Sequence, residues 1–215
     1  MNNNLTELIM ILDMSGSMRN LTSDTIGGYN SLIDEQKKQP GEAKVTTILF
    51  DDRYIVLHDR EDIQKVNPIT DKEYMPRGMT AMLDAIGRTL VSVGEKLAQT
   101  PEEERPGKVL VTIITDGYEN ASKEYNWSAI KDMIKEQREK YSWVFSFIGA
   151  DIDNISVSNS LGIDSRLSKK YTKNSVGTSS VYMSMSNVVS KIRNVSYDTA
   201  EAMVEDIAKD MDEIK

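Results

Sequence analysis

Short apolar runs alternate with segments of helical spacing along most of this chain, and this alternation restricts its fold class more than any other feature. We interpret the apolar runs as strands at 5–12, 45–50, 54–57, 109–115, 143–148 and 166–171. The amphipathic segments predict helices at 22–38, 80–97, 126–140, 152–161, 176–194 and 198–213. Such an order favours a doubly wound α/β fold with a mostly parallel sheet and helices on both faces.

Only a short polar turn, residues 51–53, separates the runs at 45–50 and 54–57. This spacing predicts a β-hairpin, so we expect one antiparallel edge strand in the otherwise parallel sheet. The runs at 5–12 and 109–115 are the most apolar, which predicts adjacent central positions for them.

The 215 residues have the length of one domain with a sizeable core. We assign residues 1–196 to this domain and 197–215 to an amphipathic acidic helix that docks on it. No apolar run reaches the roughly 20 residues of a membrane helix, and the N-terminus lacks signal-peptide features. We therefore expect a cytoplasmic protein that does not enter membranes.

The charge and the rare residue types exclude several kinds of site. With 26 Lys and Arg against 34 Asp and Glu, the net charge of −8 argues against binding to nucleic acid or anionic membranes. There is no Cys, which excludes thiolate zinc sites and Cys nucleophiles. The single histidine, His58, is expected at the surface and leaves no second imidazole for a His-rich metal site.

Oxygen-bearing side chains follow the first predicted strand at the point where it ends. Asp13 comes directly after the apolar run, and Ser15 and Ser17 follow at alternate positions. Ligands bind at this edge of open α/β sheets, and oxygen donors suit a hard divalent cation such as Mg²⁺. The alternative is an ordinary Ser/Gly turn in which Asp13 caps the next helix.

Two more polar residues are expected at the same edge. Thr80 opens a predicted helix after a Pro-Arg-Gly loop, and Asp116 ends the strand at 109–115. Taken alone, Thr80 would serve as a helix cap and Asp116 as a turn residue. Together with the first three, they give two carboxylates and three hydroxyls. Such a set leaves part of an octahedral shell to water or to an outside ligand, for which a partner's carboxylate is suited.

The split motif Asp13-Met-Ser-Gly-Ser17, Gly78-Met-Thr80 and Thr115-Asp116-Gly117 resembles the metal-ion-dependent adhesion site (MIDAS) of the von Willebrand factor A (VWA) domain family. The resemblance covers roughly residues 5–195, matches all five ligand positions, and points to intracellular members of bacterial or phage type. It implies a Rossmann-like fold with Mg²⁺ or Mn²⁺ at the top of the sheet.

The resemblance also implies a role for each residue. Ser15, Ser17 and Thr80 would ligate the cation directly or nearly so, whereas Asp13 and Asp116 would act partly through water. The cation would capture an Asp or Glu side chain of a partner protein. Intracellular bacterial members often work with ATPase partners, so an ATPase-associated complex is a candidate partner.

Three methionines and a tyrosine flank the predicted metal loops. Met14, Met18, Met79 and Tyr118 could form an adaptable apolar rim that contacts the partner. The alternative is that these side chains fill gaps beneath the loops. Solvent exposure distinguishes the two interpretations.

We expect a metal-dependent protein-binding module without enzymatic activity, and two other functions stay open. A metal-dependent phosphoesterase or nuclease would usually gather more carboxylates than the two available here. A structural subunit would associate with its assembly independently of metal. The sequence contains neither a Walker-type phosphate loop nor a Gly-x-Ser-x-Gly elbow.

Overall fold

The computed structural model describes residues 1–150, 153–195 and 200–211. Its strands are β1 (Asn2–Asp13), β2 (Glu42–Phe50), β3 (Tyr54–Asp62), β4 (Pro106–Thr115), β5 (Val144–Ala150) and β6 (Ser168–Tyr171). Its α-helices are α1 (Thr22–Lys37), α2 (Met82–Gln99), α3 (Trp127–Tyr141), α4 (Asn154–Leu161), α5 (Ser175–Asn194) and α6 (Ala200–Met211). Short 3₁₀ helices lie at Gly16–Leu21, Ile63–Lys65, Glu102–Glu104 and Ser165–Leu167.

The strands form one sheet in the order β3-β2-β1-β4-β5-β6. Every neighbouring pair is parallel except β2 and β3, which are antiparallel and place β3 at an edge. β1 and β4 lie side by side at the centre, with Leu8 opposite Leu110 and Leu12 opposite Ile114. The predicted fold class, including the single antiparallel edge strand, is confirmed.

Helices cover both faces of this sheet because its central strands are apolar on both faces. Alternate residues of β1 enter different cores: Leu8, Met10 and Leu12 pack with α1, α5 and α6, whereas Ile9 and Ile11 pack with α2, α3 and α4. The first strand is therefore buried throughout its second half, and its last residue meets the loops that follow β4 and precede α2.

Helix α6 contributes Met203, Val204, Ile207 and Met211 to the core beneath α1 and α5. The predicted division between residues 1–196 and a helix at 197–215 stays a prediction. The predicted helix ends at 198 and 212–213, like the start of the fourth helix at 152, lie outside the described residues. Among the described helices, none combines the length and the apolar character needed to cross a membrane.

Two helix starts differ from the prediction. α2 begins at Met82 rather than at Thr80, so Thr80 belongs to the preceding loop. α1 follows directly on a 3₁₀ helix, and Leu21 occupies its N-cap without a side-chain hydrogen bond. The backbone is thus already helical where α1 begins. Neither Thr22 nor Ser23, the residues expected to cap the helix, acts as its N-cap.

Candidate metal centre

The predicted metal loops meet at the carboxyl ends of β1 and β4. Because these strands are parallel neighbours, Asp13 at the end of β1 lies beside Thr115 at the end of β4, with Asp116 following. Asp13, Ser15, Thr80 and Asp116 are all buried, whereas Ser17 is exposed. The site is therefore a cluster of mostly buried polar side chains at the edge of the sheet, and it is open to solvent at Ser17.

Hydrogen bonds connect the first loop to the loop after β4. The Ser15 amide donates to Asp13 Oδ1 at 2.6 Å, which folds the loop back on the strand end. The hydroxyls of Ser15 and Ser17 are 3.0 Å apart. Ser17 Oγ then donates to Asp116 Oδ1. Four of the five predicted ligands thus form one connected chain of contacts.

Gly117 shows where Thr80 stands relative to the others. A methyl group built on Gly117 would lie 3.3 Å from Thr80 Oγ1, 3.5 Å from Ser17 Oγ and 4.0 Å from Asp13 Oδ2. Three side-chain oxygens, two from the end of β1 and the loop after it and one from the loop before α2, therefore surround one point. A residue larger than glycine at position 117 would fill that space.

The loop after β4 also holds Thr80 in place. The Thr80 amide donates to Asn120 Oδ1 at 2.9 Å, and the Asn120 amide donates to the Thr80 carbonyl at 3.0 Å. Glu119 accepts a hydrogen bond from the Leu83 amide in the first turn of α2. These contacts explain why α2 starts after Thr80, since the backbone at Thr80 is bonded to another loop.

The 76–80 loop is fixed against the first loop as well. The Gly16 amide donates to the Gly78 carbonyl at 3.2 Å, and the Arg77 amide donates to the Met14 carbonyl at 2.9 Å. Gly78 adopts a left-handed φ of 69°, and a Cβ there would approach Asp52 Oδ1 to 2.2 Å. Only glycine fits this turn, which brings Thr80 over the end of β1.

Asp13 is held from two further sides. Thr115 Oγ1 donates to Asp13 Oδ2 at 2.5 Å, and the Tyr74 hydroxyl donates to the Asp13 carbonyl at 2.6 Å. Burial raises the pKa of Asp13 to about 6, with a smaller contribution from the negative charge of Asp116. The hydrogen bonds from Thr115 and Ser15 act in the opposite direction. Burial thus disfavours the charged form of this carboxylate, and a bound cation would favour it.

A basic residue that the sequence did not single out also reaches the site. Lys173, between β6 and α5, places Nζ 2.7 Å from Asp116 Oδ2. This oxygen accepts no hydrogen bond of normal geometry within the described residues, so the ion pair is its polar contact. Asn120 and Lys173 were missed because their contacts depend on loops far apart in sequence, and Thr115 was quoted in the motif without a role.

The residues present fit a hard divalent cation. All donors are oxygens, and two carboxylates with three hydroxyls match a site that leaves room for water or a further ligand. In the part of the chain that the structure describes, no group of three or more His, Cys, Asp or Glu side chains could hold a metal. A cation at this edge would therefore depend on the hydroxyls of Ser15, Ser17 and Thr80.

The predicted apolar rim is only partly present. Met14 and Met18 are each 1% exposed and belong to the core with α1 and α5, so their assignment as partner contacts is wrong. Met18 lies in the 3₁₀ helix Gly16–Leu21 and Met14 precedes it, and both side chains pack into that core. Met79 and Tyr118 are 55% and 57% exposed and stay candidates for partner contact.

No protein-family model matches the sequence, and a search of curated proteins found no match. The structure resembles solved ones. PTMP1 from the mussel byssus, with a zinc-occupied MIDAS motif, is 18% identical with a TM-score of 0.60, covering 86% of this chain and 46% of that one. A von Willebrand factor type A from Catenulispora acidiphila is 16% identical with a TM-score of 0.60, covering 87% and 42%.

Manganese-loaded TRAP protein from Plasmodium vivax is a third similar structure, at 17% identity and a TM-score of 0.58, covering 82% of this chain and 72% of that one. The chain spans less than half of the PTMP1 and Catenulispora chains that it matches. At these identities the similarity shows the fold alone, which is that of VWA domains.

Proposed function

We propose that this chain is a metal-dependent protein-binding module. Asp13, Ser15, Ser17, Thr80 and Asp116 would hold Mg²⁺ or Mn²⁺, and the cation would supply a binding position for an Asp or Glu side chain of the partner. The observation that carries the proposal is the space beside Gly117, around which oxygens of Thr80, Ser17 and Asp13 converge. The zinc and manganese in two structural neighbours support a divalent cation here.

The surroundings of the site support capture of an acidic group. Two carboxylates only balance a divalent charge, and the neutral hydroxyls add none, so the loaded site would still attract an anion. The exposed side chains of Met79 and Tyr118 would supply apolar contact around it. We place the module in the cytoplasm, with a subunit of an ATPase-associated complex as the candidate partner.

The geometry favours binding over catalysis. Within the described residues, no histidine or third carboxylate joins the site to act as a base. His58 is buried rather than at the surface as expected, and its Nδ1 lies 3.2 Å from the Tyr29 hydroxyl beneath β3. It therefore takes part in the packing of the edge strand instead of serving a reaction at the sheet edge.

Calorimetric titration with Mn²⁺ tests the metal site. We expect wild type to bind one ion per chain and Thr80→Val to bind at least about tenfold more weakly, because the variant keeps the shape but loses a ligand. Thr112→Val is the matched control, since Thr112 is a buried threonine within β4. Equal affinities for wild type and Thr80→Val would refute the proposed ligand set.

Partner capture separates the three candidate functions. We expect proteins from the native host to bind wild type in Mg²⁺, to elute with EDTA, and not to bind Thr80→Val. Capture that survives EDTA would identify a structural subunit. Hydrolysis of a generic phosphodiester in Mn²⁺ that is lost in Asp116→Ala would identify an enzyme.

A further inference from the structure

We infer that Lys173 is an internal competitor for the metal site: its ammonium group neutralises Asp116 in the metal-free protein, and a divalent cation has to displace it. The inference rests on the proposed metal site and adds a residue that sets how much metal is needed to fill it. Lys173 would thereby raise the concentration of divalent cation that is needed to occupy the site.

The contact is made from a third segment of the chain, after β6. Lys173 Nζ lies 2.7 Å from Asp116 Oδ2, whereas Asp116 Oδ1 accepts the Ser17 hydroxyl. The Asp116 side chain is fully buried and the Lys173 side chain is 27% exposed. Both oxygens of Asp116 are thus engaged, one by a predicted ligand and one by a cation of the protein itself.

Two arginines near these loops contact Asp51 instead. Arg53 Nη2 lies 2.5 Å from Asp51 Oδ2, and Arg77 Nε lies 3.7 Å from the same oxygen. Among the described residues, Lys173 is the basic residue that forms an ion pair with a carboxylate of the proposed metal site, that of Asp116. In the metal-free protein, one lysine therefore accompanies the two carboxyl groups of the site.

A divalent cation and this ammonium group cannot share the site without cost. Both would use Asp116, and like charges a few ångströms apart repel strongly where burial limits screening. Two carboxylates facing three positive charges would also leave a net positive charge in a mostly buried site. Metal binding is therefore expected to move the Lys173 ammonium into solvent.

The local structure allows the side chain to leave without moving the backbone. Asn174 caps α5, and its Oδ1 accepts a hydrogen bond from the Gly177 amide at 2.8 Å. A Cβ on Gly177 would lie 2.1 Å from the Thr172 carbonyl oxygen, so the turn before α5 is tightly packed. The backbone on either side of Lys173 is thus fixed, and its flexible, partly exposed side chain can rotate outward.

The test compares Mn²⁺ affinity in wild type, Lys173→Met and Lys170→Met by calorimetry at one pH and salt concentration. We expect Lys173→Met to bind Mn²⁺ about tenfold more tightly, because the repulsion and the competition are removed. Lys170→Met, which changes an exposed lysine of β6, should match wild type.

Equal or weaker binding by Lys173→Met than by wild type would overturn the inference and leave the metal site intact. If no variant binds Mn²⁺, the proposed function fails and this inference fails with it. A second readout needs no variant: acylation of lysines in wild type, mapped by mass spectrometry. Acylation of Lys173 should rise several-fold on addition of Mg²⁺ relative to Lys170, and an unchanged ratio would count against displacement.

Discussion

At the scale of single residues, the candidate site combines side chains that a local pattern reveals with others that only the fold brings in. Asp13, Ser15 and Ser17 lie within five residues, so their spacing alone indicates that they contribute to one binding site. Thr115 and Asn120 bear on Asp13 and Thr80 through contacts across loops. The motif includes Thr115 only as the neighbour of Asp116, and nothing in the sequence marks Asn120; their partners lie 102 and 40 positions away.

Gly117→Ala is expected to weaken Mn²⁺ binding at least about tenfold while leaving the fold intact. Changes in the residues that surround the metal ligands commonly alter metal affinity by that amount. The added methyl would stand 3.3 Å from Thr80 Oγ1 and 3.5 Å from Ser17 Oγ, in the space assigned to the cation. Calorimetry gives the affinity. Gly94→Ala is the control, since a Cβ there meets nothing within 4 Å. Unaltered binding by Gly117→Ala would place the cation elsewhere.

Thr115→Val removes the hydroxyl that donates to Asp13 Oδ2 at 2.5 Å but keeps the side-chain shape. We expect Mn²⁺ affinity to fall about tenfold, because the carboxylate loses the contact that orients it. The free energy of unfolding of the metal-free protein should fall by only about 1 kcal/mol, the contribution of one hydrogen bond. If affinity is unchanged while stability falls, Thr115 serves the fold and not the site.

At the scale of elements, periodicity predicted the strands and helices where apolar residues are regularly spaced, and failed where tertiary contacts decide. Strand β3 was predicted at 54–57 but continues to Asp62. The prediction ended too early because the second half of the strand is polar and gives no apolar pattern. Register irregularities in its pairing with β2 and the left-handed φ of Arg60 add to this. The start of α2 was misplaced by two residues, since the bonds between Thr80 and Asn120 are not visible in the sequence.

Helix α6 supplies a test of whether the C-terminal segment is part of the cooperative fold. Ile207→Ala is expected to lower the free energy of unfolding by about 2–5 kcal/mol, because Ile207 is fully buried against the core of α1 and α5. Glu205→Ala, at an exposed position of the same helix, should change it little. Urea denaturation measures both. A loss below about 0.5 kcal/mol for Ile207→Ala would mean that α6 is not docked in solution.

At the scale of the whole molecule, the fold class could be predicted from the alternation of strands and helices. The ionisation of acidic residues buried inside the fold could not. Glu7 of β1 is fully buried and pairs with Arg60, whose Nε lies 3.0 Å from Oε2. Burial raises the pKa of Glu7 from 4.5 to about 7, and the nearby Arg60 opposes this less strongly. An apolar strand pattern gives no indication of how a single acid within it will ionise.

This raised pKa predicts a pH dependence of global stability. Between pH 4.5 and about 7 the folded protein holds the Glu7 proton while the unfolded chain releases it, so stability falls as pH rises through that window. Glu7→Gln cannot ionise, and its stability relative to wild type should rise by up to about 3 kcal/mol across the window. Urea denaturation at pH 4.5, 6 and 8 measures the difference. A relative stability that falls with pH would show that Arg60, not burial, governs Glu7.

A cation at the carboxyl end of β1 is required by both the proposed metal site and the proposed role of Lys173, and anomalous diffraction from crystals grown with Mn²⁺ would locate it directly. We predict a single strong peak per chain at about 2 Å from the hydroxyl oxygens of Ser15, Ser17 and Thr80, beside Gly117. Absence of that peak at saturating Mn²⁺, or a peak only at other residues, would contradict the account.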